Sequence, residues 1–352
     1  MKMRRFKTRV GMKKRKIFKK YYLGIGFVAA IILTCAAFIL SSCTPTYPKE
    51  KLPEAIKNVC EIEYGMKVDV SVMDSTVGIY YPMEGLLDVG LGISKDAWDQ
   101  ISNLILVASR VVLSTDADVK FYCVITQDVR LPELQVVIIK YVEDVKHGMY
   151  RNISRSESFK RTLFSVNLTP QAKKERTVEK IFENLGVEDD TREKVLDEFF
   201  RSPPTKLSDI GYWKGHFYLK SITLGEFLAA QMASRIKIDF RQDEKLMEFF
   251  QYKSSEGEYM KDPEGEFFLL KFKIADQRAS DGIIEMRKKK VQEILRIANE
   301  VVRGYKFQNF KFLKMEDQLE NVDMFVGEED IYDFDKEKLS IENIVQTSGN
   351  YF

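Results

Sequence analysis

Histidine is almost absent: His147 and His216 are the only two in 352 residues. No Cys-x-x-Cys pair and no Cys/His cluster accompanies them, which argues against a zinc site of ordinary ligand spacing. The chain also lacks a Walker A sequence, His-Glu-x-x-His, Gly-x-Ser-x-Gly and the protein-kinase signatures. The nearest approach to a phosphate loop, Val89-Gly90-Leu91-Gly92, lacks a third glycine and a following βαβ unit, and reads as a plain loop. No low-complexity block or heptad run follows residue 43. These absences point away from the motif-bearing enzyme classes and imply no cofactor. They leave open an acid–base hydrolase, because a pair of Asp or Glu side chains needs no sequence signature.

Charge is unevenly spread. Residues 1–22 carry 11 Lys/Arg and no acid, residues 23–42 carry no charge, and the remainder holds 44 basic against 53 acidic residues, a net of −9. A nucleic-acid partner would need a basic field on the folded part, so none is expected. The 45% apolar and 31% charged content is that of an ordinary globular chain.

Leu23 to Leu40 is an apolar run long enough, at about 1.5 Å per residue, to cross a bilayer core as a helix. Its basic flank would stay on the cytoplasmic side. The run closes on Leu40-Ser41-Ser42-Cys43, which resembles the lipobox of bacterial lipoproteins. That resemblance covers the first 43 residues. It implies a signal peptide over 1–42, lipidation of Cys43 and partnership with a membrane through that lipid, since two or three acyl chains anchor stably where one does not. Thr44 is not Asp, which implies the outer membrane rather than the inner one where the organism has both. The alternative is a single uncleaved span, and Met12 is a second candidate start. Thr44-Pro45-Thr46-Tyr47-Pro48 opens a Pro-containing tether over 43–52.

The mature part reads as α+β: two related helix-hairpin-helix-hairpin two-layer units, 53–168 and 243–340, flanking a mainly helical middle segment, 169–242, with a loose tail over 341–352. The expected order is helix 53–62, strands 67–72 and 76–82, helix 95–114, and strands 119–127 and 134–141. A weak internal repeat supports the second unit. The apolar stripe Ile101, Leu104, Ile105, Ala108, Val111 and Val112 becomes Val291, Ile294, Leu295, Ala298, Val301 and Val302 when shifted by 190. Helix 53–62 maps onto 243–252 at the same shift, while Val77, Ile79 and Tyr81 meet Phe268, Leu270 and Phe272 at 191. In the middle, 171–185 and 190–201 read as helices with Gly186 as a stop, and Leu224 to Ile236 as an apolar helix.

Several groups of residues are candidates for a site. Export would place Cys60 and Cys123 where a disulfide can form; the alternative is two buried thiols that never meet. Tyr212, Trp213 and His216 sit in an aromatic stretch with Lys214, suited either to stacking recognition of a partner or to anchoring the middle segment. Lys146, His147, Arg151, Arg155, Lys160 and Arg161 form a basic patch in an acidic protein, suited to anionic lipid, cell-wall polymer or an acidic envelope protein, or else consumed by Glu143, Asp144 and Glu157. Glu328, Glu329, Asp330, Asp333 and Asp335 cluster carboxylates without an EF-hand pattern, so no metal is expected. Phe121–Gln127 and Ile153-Ser154-Arg155 distantly resemble the outer-membrane-protein-A-like peptidoglycan-binding domain, although the element order differs. The expected role is a non-catalytic binding, scaffolding or assembly component of the cell envelope. The alternatives are an envelope hydrolase and a peptidoglycan-binding module.

Overall fold

The structure is a computed structural model that describes residues 46–88, 92–173, 204–263, 265–277, 283–334 and 341–347. Among these residues the fold is mixed α+β, with nine α-helices and three sheets. The helices expected over 171–185 and 190–201, and the stop at Gly186, lie almost wholly outside the described residues.

The first sheet is built from α1 (Leu52–Tyr64), β1 (Asp69–Met73), β2 (Thr76–Met83), α2 (Lys95–Val112), β3 (Phe121–Asp128), β4 (Leu131–Tyr141), α3 (Val142–Met149), α4 (Arg155–Lys160) and β5 (Leu163–Leu168). Gly65 closes α1 in the left-handed conformation that a Cβ penalises. Ser94 caps α2 by accepting from the Ala97 amide. The strand order is β1-β2-β3-β4-β5, with β2 and β3 parallel and the other pairs antiparallel. Helix α2 is the crossover that a parallel pair requires.

The second sheet is built from β8 (Phe250–Asp262), β9 (Gly265–Asp276), α7 (Ile283–Tyr305), β10 (Phe312–Asp317), β11 (Val322–Gly327), α8 (Glu328–Tyr332), α9 (Ile341–Ile344) and β12 (Gln346–Thr347). Its order is β8-β9-β10-β11-β12, again with one parallel pair, β9 and β10, joined by a crossover helix. The registers correspond: Val77 pairs with Tyr122 and, 191 residues on, Phe268 pairs with Leu313; Tyr81 with Thr126 becomes Phe272 with Asp317. Residues 341–347, expected in a loose tail, supply a short helix and the edge strand, with Ile341, Ile344 and Val345 buried.

Two further expectations fail. Residues 243–252 are not a helix equivalent to α1. Only α6 (Glu244–Met247) is helical there, and Phe250 already begins β8. The helix in the corresponding place is α5 (Leu224–Gln242), entered through a capping box of Thr223 and Glu226. The first unit is also not a simple two-layer sandwich. One face of its sheet (Val77, Ile79, Tyr122, Val124, Val136, Ile138) packs on α1 and α2. The other (Phe121, Cys123, Ile125, Val137, Ile139) joins a larger core that includes α5, α7 and the second sheet.

Helix α5 lies between the two sheets. Phe227 reaches Phe121 at 5.3 Å and Tyr141 at 6.2 Å on the first sheet. On its other side, Gly225, Ala229 and Ala233 run antiparallel to Tyr259, Gly257 and Ser255 of β8. Four residues of helix rise about 6 Å and two of strand about 6.8 Å, so the two spacings stay nearly in step. The Ser255 hydroxyl donates to the Ala233 carbonyl at 2.8 Å. A Cβ on Gly257 would stand 2.0 Å from the Ala229 carbonyl oxygen, a backbone atom that cannot swing away. Gly257→Ala is therefore expected to destabilise the protein by at least ~2 kcal/mol, read as a lowered denaturant midpoint. An unchanged midpoint would contradict this close approach.

Candidate functional site

Each half of the molecule contributes to a polar seam inside the interface around α5. Asp144 of α3 is buried and accepts from Arg161 at 2.9 Å and from the Tyr305 hydroxyl of α7. Arg161 also donates to Glu157 at 2.7 Å, and Glu157 accepts from Arg235 of α5 at 2.8 Å. Arg235 lies 3.9 Å from Glu300, which is paired with Arg296, and Arg296 in turn reaches Asp239. The Arg161 guanidinium sits over the Tyr305 ring at 4.7 Å. Alternating charge thus runs from α3 and α4 through α5 to α7.

The seam sets its own titration. Burial pushes Asp144 above the usual carboxylate range despite its Tyr305 and Arg161 partners. Burial also pushes Glu157 upward, but hydrogen bonds from Arg161 and Arg235 outweigh it and hold Glu157 below its usual value. Tyr305 is pushed up by burial and by the Asp144 charge.

The seam fixes the inner side of a corner, α3 to α4, whose outer side carries the expected basic patch. The structure divides that patch. Arg161 turns inward and is consumed by Asp144 and Glu157. Lys146 pairs with Glu143 at 2.5 Å on the surface, an exposed pair that contributes little. Arg151 and Arg155 are exposed, and neither forms an ion pair among the described residues. Ser154 caps α4 through the Glu157 amide.

Between the helices, the Asn152 amide donates to the His147 carbonyl at 2.9 Å and the Arg151 amide to the Gly148 carbonyl at 3.1 Å. This is a Schellman ending for α3. The position that usually holds glycine is Arg151, at φ 57°. A left-handed conformation costs a non-glycine residue about 1 kcal/mol. Beside it stand three of the most exposed large apolar side chains among the described residues: Met149 at 68%, Tyr150 at 77% and Phe159 at 61%. The sequence alone does not set this apolar component apart, because charged residues dominate 143–160.

The aromatic stretch behaves differently. Gly211–Trp213 (β6) and His216–Tyr218 (β7) form a hairpin in which Tyr212 pairs with Phe217 and Trp213 with His216. Alternation along a strand sends the two pairs to opposite faces. Tyr212 is buried, stacks on Tyr80 at 3.6 Å, donates to Asp69, and has its backbone N–H and C=O both engaged by Gln135. Phe217 closes over Gly78, where a Cβ would stand 2.9 Å from the ring. Tyr212 is therefore an anchor rather than part of a recognition surface with Trp213 and His216. Trp213 is half-buried and donates to Gln171, and His216 is exposed at the tip.

The disulfide reading is also corrected. Cys60 and Cys123 are both free and buried. They belong to different cores on opposite faces of the first sheet, since Cys123 points away from the α1 side to which Tyr122 and Val124 point. Burial pushes the Cys60 thiol up to about 11 and raises Cys123 as well, so both are poor nucleophiles at neutral pH.

The buried carboxylates have structural partners. Asp128 accepts from the Leu86 and Arg130 amides, and Asp317 pairs with the buried Lys290 at 2.9 Å. Among the described residues, no group of three or more His, Cys, Asp or Glu is arranged to hold a metal ion. Asp335 of the acidic cluster and Val89, Gly90 and Leu91 lie outside those residues.

The N-terminal tether is docked rather than free from residue 47 onward. The Tyr47 amide donates to the Ser114 carbonyl at 3.2 Å, Tyr47 bridges to Thr115, and the Lys49 amide donates to Asp116 at 2.7 Å. Among the described residues no helix is long and apolar enough to cross a membrane. Compared with known proteins, the chain matches no family model, no curated protein and no solved structure.

Two outcomes test the seam. Arg161→Met strands the buried Asp144 charge, with an expected cost of about 3 kcal/mol in denaturant unfolding at neutral pH; a loss within ordinary surface scatter would contradict the pairing. Glu157 has a lowered folded-state value, so its contribution is complete at neutral pH and is lost as pH falls through that value. Glu157→Gln should therefore cost stability at pH 7, and its difference from wild type should shrink below about pH 4. A difference independent of pH would count against the charged seam.

Proposed function

We propose that the chain is a lipid-anchored protein of the bacterial cell envelope with a non-catalytic binding, scaffolding or assembly role. One observation carries this reading: the basic segment, the uncharged apolar run and Leu40-Ser41-Ser42-Cys43 stand in the order and spacing of a lipoprotein signal. Cys43 would be the lipidated N-terminus, and Thr44 favours the outer membrane over the inner where both exist. The docked tether fits an anchored protein. Tyr47 lies four residues from Cys43, and four extended residues reach at most about 14 Å. The folded part would be held close against the bilayer rather than on a long stalk.

The equal strand order of the two sheets and the shared 191-residue register support a further element of this reading: the two halves are related units from an internal duplication. A non-catalytic role is supported by the structural engagement of Asp128, Asp144 and Asp317. No specific observation favours the hydrolase or the peptidoglycan-binding reading.

Intact-mass measurement and membrane fractionation of wild type and Cys43→Ala, expressed in a bacterial host, test the anchor. The expected wild type lacks residues 1–42, carries added acyl mass and sediments with membranes, and the variant loses the acyl mass. A full-length, membrane-bound product indifferent to Cys43→Ala would overturn the lipoprotein reading in favour of an uncleaved span.

A further inference from the structure

The corner formed by α3 and α4 combines three properties. It projects apolar tips (Met149, Tyr150 and Phe159), and it sets cations (Arg151 and Arg155) directly among them. It lies on a protein whose charge beyond residue 42 is net −9, yet its one acid between residues 145 and 160, Glu157, faces inward to Arg161 and Arg235. We propose that this corner docks on the surface of an anionic lipid bilayer, the apolar tips entering the headgroup boundary and the cations meeting lipid phosphates.

The assignment to lipid rather than to an acidic protein rests on the mixture and on the place. Aromatic and long apolar side chains flanked by Lys or Arg suit the bilayer interface, where one end of each side chain finds an apolar medium and the other water or phosphate. Arg151 holds the left-handed position that glycine would fill without strain, so the turn retains a cation at a conformational cost. Location agrees with this. The α3 helix starts where the Val142 amide donates to the Lys120 carbonyl, at the end of the first sheet where Tyr47 docks on Ser114 and Thr115. The corner and the incoming tether thus share one end of that sheet. The seam braces the corner from behind, so it can meet a surface without a folding step.

The proposal rests on the membrane-anchored reading for its access to a bilayer, and the two can be tested apart. Full-length protein carrying Tyr150→Trp is reconstituted into vesicles with brominated acyl chains, either phosphatidylcholine alone or with about 30% phosphatidylglycerol. Quenching of the added tryptophan is read against wild type, whose Trp98 and Trp213 give the background. The expected result is quenching at least about threefold stronger with phosphatidylglycerol, weakened when salt is raised from about 0.05 M to about 0.5 M. It should also be weakened by Arg151→Ser combined with Arg155→Ser, two exposed positions at which folding, checked by circular dichroism, should be unchanged. Equal or absent quenching in protein that floats with the vesicles would overturn the docking surface. Capture on poly-glutamate without vesicle quenching would overturn it in favour of an acidic macromolecule. Acyl mass on Cys43 without quenching sinks the docking surface alone, whereas phosphatidylglycerol-dependent quenching without acyl mass sinks the lipoprotein reading alone.

Discussion

The close contact of α5 with β8 is the constraint on which the arrangement depends. A helix and a strand can approach this tightly only where side chains are nearly absent from both. Gly225, Ala229 and Ala233 provide that on the helix, and Gly257 with the hydrogen-bonding Ser255 provides it on the strand. The opposite side of α5 is then free to carry Phe227 into the first sheet. One helix thereby packs against both sheets within a single core, and the sheets are joined through side chains rather than through a linker. Burial on all sides explains why α5 mixes large and minimal residues and shows no clean apolar stripe.

The polar seam follows from that arrangement. Bringing α3, α4, α5 and α7 together would bury Asp144 and Arg235, and charges removed from water must be paired. The seam meets this requirement with alternating partners. Many buried ion pairs can be replaced as a whole by apolar residues without loss of stability, whereas losing a single member leaves an uncompensated buried charge. What the seam adds is geometry: it fixes where the α3–α4 corner sits, and hence where Tyr150, Phe159 and the cations around them project.

Much of the fold was legible where a single period dominates. The stripes of α2 and α7 repeat at helical spacing, and all twelve stripe residues except Ile105 are fully buried or nearly so. Strand β2 was equally clear from its alternation. Residues 243–252 misled because Leu246, Phe249 and Phe250 satisfy a helical spacing over one turn, too short a window to separate helix from strand. The polar run of β8 hid its role, since Gly257 and Ser255 mark close backbone approach rather than an apolar face. In the aromatic hairpin, residue type alone groups Tyr212 with Trp213 and His216, although alternation along a strand sends them to opposite sides. The Schellman turn at Arg151 carries no glycine, and the apolar tips beside it look unremarkable until exposure is known. Spacing alone could not separate Cys60 from Cys123, because which face of a strand a residue takes depends on the whole sheet.

If α5 unites the sheets, the two halves open together. The most direct measurement is native-state hydrogen exchange of the β3 and β10 amides across a denaturant series. The account expects both strands to exchange through the same opening free energy, with one denaturant dependence equal to that of global unfolding. A β10 sheet that opens at distinctly lower free energy while β3 stays protected, or the reverse, would contradict it and would make the halves independent units joined only by chain.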